Sequence, residues 1–291
     1  MAEQSQRTPP ARPAAAPGQG GGEGRAFYAP RFDVRGAPQT SMRYIFFSSQ
    51  RTGSTYLCRR LCNISNRLGL PSEYLNPNAI EDIAPRLVAA AAGPTRIKFE
   101  DYLRGVERIR TTADGTFGVK VQPKQLVSRV AGGSDGVIRF LQGYDRIVVL
   151  TRRDKLGQAV SGAIAEATGD WVSGNKPPDL SDDDLAKLCP DVAFKLNRYV
   201  QEELRMLAAA SRTGRPVLHI EYEEILADPQ TTFGGLLRFL GEPRGVAGVE
   251  EDNLVKVPKK TPGELAQRLG KRFLDFITAA GPYSVPRASR R

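Results

Sequence analysis

Residues 43–57 read RYIFFSSQRTGSTYL, and the prediction of the fold begins from this stretch. The run YIFF is apolar and rich in β-formers, which is typical of a strand buried on both faces of a parallel sheet. The next eight residues, 48–55, are polar or small. Apolar residues then recur at helical spacing, at Leu57, Leu61, Ile64 and Leu68. The stretch therefore predicts a strand, a tight loop and a helix.

The loop SSQRTGST at 48–55 has the composition of an anion-binding site. A strand-to-helix loop directs backbone N–H groups and the positive end of a helix dipole toward one point. Ser54 and Thr55 add hydroxyls, Gly53 permits close backbone approach, and Arg51 supplies a forked cation. The alternative is an ordinary turn in which Ser54 or Thr55 caps the helix. We favour the anion site because a cap does not require the arginine.

The loop departs from a Walker A motif at two positions. That motif is Gly-x-x-x-x-Gly-Lys-Ser/Thr, and its lysine binds the terminal phosphates. Here Ser48 occupies the first glycine position and Ser54 the lysine position. A P-loop nucleotide kinase or phosphotransferase is therefore the second hypothesis. An arginine two residues before the glycine, followed by Ser-Thr, instead resembles the 5′-phosphosulfate loop of sulfotransferases that use 3′-phosphoadenosine-5′-phosphosulfate (PAPS).

Composition limits the classes of protein that fit. The chain has 291 residues, of which 40% are apolar, enough to bury the core of one domain. No apolar run of about 18 residues and no signal pattern occur, so we expect no membrane span and a cytoplasmic location. Three cysteines do not make a secreted disulfide framework. Cys58 and Cys62 are interpreted as buried structural thiols, because no further ligand completes a metal set nearby.

The net charge of +10 is concentrated near the C-terminus. Residues 256–291 contain nine lysines and arginines against Glu264 and Asp275, a net charge of +7. This segment fits nucleic acid, an anionic cofactor or a solvated tail. No interleaved aromatic pattern supports nucleic-acid binding. A nucleic-acid-binding protein is therefore the weakest hypothesis, and no nucleic-acid partner is expected.

Residues 1–40 form a Pro/Gly/Ala-rich leader with little to bury, so we expect it to be disordered. Residues 41–280 are expected to form a single domain, and residues 281–291 a basic tail. Further strands are predicted at 116–122, 145–151 and 216–221, each followed by a helical pattern.

Ser181 begins another helix with a capping box, and Pro190 is predicted to break it. Strands that alternate with helices indicate an α/β fold, with a P-loop-like parallel sheet flanked by helices.

A second cationic turn follows the strand at 145–151. Arg152 and Arg153 come directly after it. Because the carboxyl ends of parallel strands meet at one edge of the sheet, we expect this turn to lie near the first loop. Two cationic turns indicate a ligand with two anionic groups. In the alternative interpretation, these arginines are solvated or pair with Asp154.

Arg153 and Ser161, eight residues apart, resemble the 3′-phosphate-binding element of sulfotransferases. The string LTRRDKLGQAVSGAIAEATGDW, with QRTGSTYL and GLPSEYLNP, resembles the trehalose 2-sulfotransferase family over roughly residues 43–243. The resemblance implies a sulfotransferase fold, PAPS as donor, 3′,5′-diphosphoadenosine (PAP) as product and no metal. It also implies a sugar or glycolipid hydroxyl as acceptor, and a homodimer.

The resemblance implies roles for individual residues. The 5′-phosphosulfate loop corresponds to Arg51, Thr52, Gly53, Ser54 and Thr55, and Arg51 is also expected to stabilise charge in the transition state. Arg153 and Ser161 correspond to the 3′-phosphate pair, with Lys259 and Lys260 as weaker candidates for the same phosphate. Glu73 stands where the family has its general base; the alternative is a turn carboxylate in solvent.

Two further residues invite a functional interpretation. His219, the only histidine, lies between Leu218 and Ile220 in a predicted strand, and we interpret it as structural. Trp171 is equally compatible with a core position and with stacking on a sugar or purine.

Overall fold

The computed structural model describes residues 25, 27–36, 39–91, 97–130, 132–171, 180–242 and 263–279. Lys259 and Lys260, the basic tail at 281–291 and most of the predicted leader lie outside these residues. The α/β fold predicted from the sequence is confirmed by what is described.

Four strands form one parallel sheet in the order β2-β1-β3-β4. They are β1 (Met42–Ser48), β2 (Thr116–Val121), β3 (Arg146–Thr151) and β4 (Val217–Glu221). The central strand β1 is buried on both faces, as its apolar run predicts. Its alternate residues enter different cores, with Ile45 and Phe47 on one face and Tyr44 and Phe46 on the other.

Helices cover the sheet. In chain order they are α1 (Ser54–Ile64), α2 (Pro77–Ala91), α3 (Phe99–Arg110), α4 (Pro123–Val127), α5 (Gly133–Gln142), α6 (Lys155–Thr168), α7 (Asp182–Ser211), α8 (Tyr222–Ala227), α9 (Pro229–Phe239) and α10 (Glu264–Ala279). Residues of α2, α3, α5 and α7 share one core with the sheet, and residues of α1, α8 and α9 share the other. A third core joins α6, α7 and α10. None of the helices in the described ranges is long and apolar enough to cross a membrane.

The helix α7 corrects one prediction. It begins with the expected capping box of Ser181 and Asp184, but it continues through Pro190 without a break. Proline removes one backbone hydrogen bond, yet Cys189 and Val192 on either side are buried against α6 and α10. The packing of this face outweighs the lost hydrogen bond.

Residues 27–36 lie within the predicted leader and contact the domain. Tyr28 is buried in the core that contains α2 and α3. Arg110, on α3, donates to the carbonyl of Tyr28 and forms an ion pair with Asp33 at 3.0 Å. This part of the N-terminal segment is therefore held by buried contacts.

Candidate active site

The carboxyl ends of the four parallel strands bring the predicted site residues to one edge of the sheet. The first loop, residues 48–55, runs from the end of β1 to the first turn of α1, and Gln122 follows β2. Arg152 follows β3, and Tyr222 follows β4. Ligands of open α/β sheets bind at this edge, so these segments together form the candidate site.

The first loop leads into its helix through a glycine rather than through a capping side chain. Gly53 is the N-cap of α1, with φ of 78°, and no side chain caps the helix. The alternative in which Ser54 or Thr55 acts as the cap is therefore wrong. The first N–H groups of α1 have no partner within the helix. The Ser48 hydroxyl is also buried without a hydrogen-bond partner in the described structure.

Gly53 is required sterically as well as conformationally. A Cβ atom added here would lie 2.3 Å from Cδ2 of Tyr222. The guanidinium of Arg152 lies over the same ring, 5.3 Å from its centroid. The ring of Tyr222 thus packs against the loop at Gly53 and supports it, a role that sequence reasoning missed. Its position directly after β4 was the available signal.

Arg51 connects the first loop to α6. Its backbone adopts φ of 62°, which is uncommon for a residue with a side chain. Its Nε donates to Ser161 Oγ at 2.9 Å, and its guanidinium donates to the carbonyl of Trp171 at 2.7 Å. Burial, followed by the nearby charge of Arg152, lowers the pKa of Arg51 below its ordinary value. The structure therefore brings Arg51 and Ser161 together.

Other side chains hold the backbone of the loop. Gln158, from α6, donates to Ser49 Oγ at 2.9 Å and to the carbonyl of Gln50 at 2.6 Å. Arg198, from α7, donates to the side-chain oxygen of Gln50 at 2.8 Å. Thr52 is fully buried and donates to the carbonyl of Ser49 at 3.1 Å. The loop is thus supported by side chains of two helices and by one hydrogen bond within the loop itself.

The second turn is more open. The side chain of Arg153 is 66% exposed and pairs with Glu221, with Nε and Oε2 at 3.0 Å. Glu223 accepts hydrogen bonds from the backbone N–H groups of Arg153 and Asp154 at 2.9 and 3.0 Å. Arg152 pairs with Asp154 at 3.3 Å, which agrees with the alternative interpretation of Arg152 as a partner of that carboxylate. The structure thus places Arg153 against a carboxylate and Ser161 against Arg51.

Glu73 lies in a largely buried network, so its description as a turn carboxylate in solvent is wrong. Its Oε1 contacts Lys120 Nζ at 2.8 Å and Gln122 Nε2 at 3.0 Å. Its Oε2 accepts from Gln125 at 3.1 Å and Asn76 at 3.2 Å. Burial favours the neutral acid, but the charge of Lys120 and these hydrogen bonds outweigh it. They hold the pKa of Glu73 below its ordinary value.

Lys120 is the second residue that the sequence analysis missed. Its side chain is buried, and its Nζ donates to Thr55 Oγ1 at 2.9 Å as well as contacting Glu73. A lysine inside a strand that is buried on both faces is rare unless it is paired. That anomaly was the available signal in the sequence.

The remaining candidates have simpler surroundings. Trp171 is 43% exposed, so it is not a core residue, and its carbonyl faces Arg51. His219 Nε2 lies 2.8 Å from Thr151 Oγ1 on the neighbouring strand. Cys58 and Cys62 are buried, as predicted. Among the residues described, no three His, Cys, Asp or Glu side chains gather in a way that would hold a metal ion.

The fold and the candidate site define an α/β protein with a polar strand-to-helix loop beside a buried carboxylate. A family model described as Stf0 sulphotransferase matches residues 43–271. Because this match covers most of the chain, the protein belongs to the Stf0 sulfotransferase family and is a transferase. The resemblance to the trehalose 2-sulfotransferase family is thereby confirmed.

The chain is also similar to solved structures that are named as sulfotransferases. The sulfotransferase from Alicyclobacillus acidocaldarius is 14% identical, with a TM-score of 0.44, and the match covers 82% of this chain and 94% of that one. The sulfotransferase domain from the curacin biosynthetic pathway is 14% identical, with a TM-score of 0.41 and coverage of 79% and 83%. The domain from the Synechococcus PCC 7002 olefin synthase is 14% identical, with a TM-score of 0.35 and coverage of 82% and 96%. No curated protein matches significantly.

Proposed function

We propose that this enzyme transfers the sulfuryl group of PAPS to a hydroxyl of a carbohydrate or glycolipid and leaves PAP as the product. One observation carries the proposal. The first loop, residues 48–55, which we propose as an anion loop, and a buried carboxylate share one site, because Lys120 contacts both Thr55 and Glu73. Sulfuryl transfer to an alcohol needs both features, an anion site for the donor and a base for the acceptor.

The described residues fit the 5′ end of such a donor. The unpartnered Ser48 hydroxyl, the open N-terminus of α1 and the glycine at position 53 suit a group with several anionic oxygens. In this proposal Arg51, Thr52, Gly53, Ser54 and Thr55 hold the 5′-phosphosulfate.

At the other end, Arg153 and Ser161 hold the 3′-phosphate. Lys259 and Lys260, outside the described residues, remain predicted contributors to the same phosphate. Since Arg153 pairs with Glu221, that ion pair must exchange partners when the phosphate binds. Ser161 accepts from Arg51, so its own hydroxyl proton can be donated to the phosphate while that hydrogen bond stays in place.

PAPS supplies an activated sulfuryl group, and its transfer places negative charge on the oxygen that is left behind. Arg51 and the amides at the start of α1 are the donors that stabilise this charge. Each well-placed donor of this kind contributes about 3–4 kcal/mol to the transition state. Gln158 and Arg198 hold Ser49 and Gln50, the residues directly before Arg51, and so support the loop before the reaction.

Glu73 is the proposed general base. Its lowered pKa keeps it ionised at neutral pH, so it is ready to accept the proton of the attacking hydroxyl. General-base catalysis of this kind typically contributes about 10²–10⁴ in rate. A low pKa makes this carboxylate a weak base. In this proposal the hydrogen bonds around Glu73 therefore assist the reaction by aligning the carboxylate with the attacking hydroxyl, not by raising its basicity.

A thermal-shift comparison tests this proposal. PAP should stabilise the protein by about 2.7 kcal/mol at a hundred times its Kd, whereas ATP with Mg²⁺ or an oligonucleotide should have little effect. Transfer of labelled sulfuryl from PAPS to a panel of sugars and glycolipids then identifies the acceptor. Stabilisation by ATP with Mg²⁺ alone would favour the P-loop kinase. A light-scattering mass tests the predicted homodimer, and the cytoplasmic location stays a prediction.

A further inference from the structure

We propose that Lys120 is a positioning residue that joins the anion loop to Glu73. The inference rests on the proposed function, which gives the anion loop its role in donor binding and Glu73 its role as general base. Its geometry is independent of any donor.

Both the backbone and the side-chain ammonium of Lys120 are held by polar contacts. Its backbone N–H donates to the carbonyl of Ser72 at 2.9 Å, and this anchors the segment that carries Glu73 to β2. Its ammonium lies 2.8 Å from Glu73 Oε1 and 2.9 Å from Thr55 Oγ1. These two oxygens therefore lie no farther apart than the sum of those distances. A hydroxyl that approaches Glu73 must enter beside the loop.

The hydrogen-bond direction at Thr55 follows from the chemistry of lysine. An ammonium group has three donors and no acceptor, so the Thr55 oxygen must accept. The hydroxyl proton of Thr55 is then free to point toward an anion in the loop. Lys120 thus orients a loop donor without itself being a part of the loop.

Lys120 also sets the charge state of Glu73. Asn76, Gln122 and Gln125 contact the carboxylate but carry no charge. Cys58 on α1 and Tyr28 on the N-terminal segment interact with it electrostatically, and burial raises the pKa of both, so both stay neutral. Among the described residues, Lys120 is the cation in a salt bridge with Glu73. Without it, burial would raise the pKa of Glu73.

The first test measures Glu73 directly in the full-length protein. Glutamate Cδ resonances are titrated by ¹³C NMR in the wild type and in Lys120→Met, and Glu73→Gln identifies the Glu73 signal. We expect the titration of Glu73 to move to higher pH in Lys120→Met and to stay unchanged in Lys124→Met. Lys124 is an exposed lysine on α4 and is the matched control for loss of one charge. An unchanged Glu73 titration in Lys120→Met would overturn the proposal.

The second test measures consequences for catalysis. Lys120→Met should lower turnover about 10- to 100-fold, with the acid limb of its pH profile at higher pH, and this loss should largely vanish in the Glu73→Gln background. Rate losses that add independently would contradict a role through Glu73. If Lys120→Met does not fold, Lys120→Arg replaces it and should keep the wild-type titration of Glu73 while turnover falls. Wild-type turnover in Lys120→Arg, or a moved titration, would then overturn the proposal.

The third test separates the two ends. Thr55→Val should weaken PAP binding several-fold and leave the Glu73 titration unchanged, and unchanged PAP binding would remove the loop half of the proposal. The NMR titration requires no donor. If Glu73 responds to Lys120 but PAP neither stabilises the wild type nor arises as a product, the proposed function fails while the link between Lys120 and Glu73 stands.

Discussion

The two cationic turns at the edge of the sheet differ in how their arginines are held. Arg51 points inward and bonds to α6 and to Trp171, in a loop that other side chains support. Arg153 points outward, and its ion pair with Glu221 is exposed. Exposed ion pairs contribute about 0–1 kcal/mol, so a ligand can displace Glu221 at little cost. One turn is therefore preorganised, whereas the other must exchange partners.

This difference shows that two arginines with the same charge need not be equally available to bind an anion. Arg51 is kept in a disfavoured backbone conformation by its surroundings, which is common where a site is built before its ligand arrives. Arg153 is available only in competition with a carboxylate. Four predictions test this contrast, and they run from the largest expected effect to the smallest.

The largest effect should come from Glu73, which is linked to the preorganised loop. Glu73→Gln should reduce turnover by about 10² or more at saturating substrates, because the base acts on the acceptor proton, while PAP affinity stays within a factor of about two. Glu81→Gln, an exposed glutamate on α2, is the matched control and should leave turnover unchanged. Full activity in Glu73→Gln would move the base role, with Glu202 the next candidate. That carboxyl is mostly buried beside Arg198, and burial raises its pKa.

The second prediction concerns the glycine that lies on Tyr222. Gly53→Ala should weaken PAP binding at least tenfold, because the added Cβ meets the ring and the backbone favours glycine. Gly241 is the control: its φ of 77° nearly equals the 78° of Gly53, but nothing lies within 4 Å of an added Cβ. Calorimetric titration with PAP should show normal affinity in Gly241→Ala. Equal losses in both variants would mean that the ring contact has no role.

The third prediction ranks the two arginines. Replacing either one by alanine should weaken PAP binding by about 1.5–3 kcal/mol, with Arg51 at the upper end because it is prearranged. Binding of AMP, which lacks the 3′-phosphate, should fall in Arg51→Ala and remain unchanged in Arg153→Ala. If the two variants lose AMP affinity equally, the assignment of separate phosphates to the two turns is wrong.

The smallest effect should be a gain. Glu221→Gln removes the carboxylate that competes for Arg153, so PAP should bind up to about fivefold more tightly, in line with the strength of an exposed ion pair. AMP affinity should not change. Weaker PAP binding in this variant would show that Glu221 helps to position Arg153 rather than competing for it.

The sequence predicted the strands and the first loop because their signals are local. An apolar run such as 44–47, followed by small polar residues, needs no tertiary information to be recognised. The contacts of Lys120 could not be predicted, since its partners Thr55 and Glu73 lie on other segments. The predicted break at Pro190 failed for the same reason, because buried contacts with other helices hold α7 together there.

The partner contacts of Arg153 also depended on tertiary structure. The sequence offered Asp154 as a neighbour, whereas the fold brings Glu221 from the adjacent strand. The site residues predicted from the family resemblance remain a prediction. The resemblance did not predict the hydrogen bond between Arg51 and Ser161 or the ion pair between Arg153 and Glu221.

The contact between Tyr28 and the Glu73 segment sets a practical limit on how the N-terminus can be altered. The hydroxyl of Tyr28 donates to the backbone carbonyl of Glu73 at 3.5 Å. The backbone carbonyl of Tyr28 accepts hydrogen bonds from Arg86 and Arg110. Shortening or protease trimming up to residue 26 leaves this anchor intact. Trimming ten residues farther would remove a support of the proposed base. Loss of activity after limited proteolysis near residues 27–36 would therefore be damage to the active site, although the cut lies far from it in sequence.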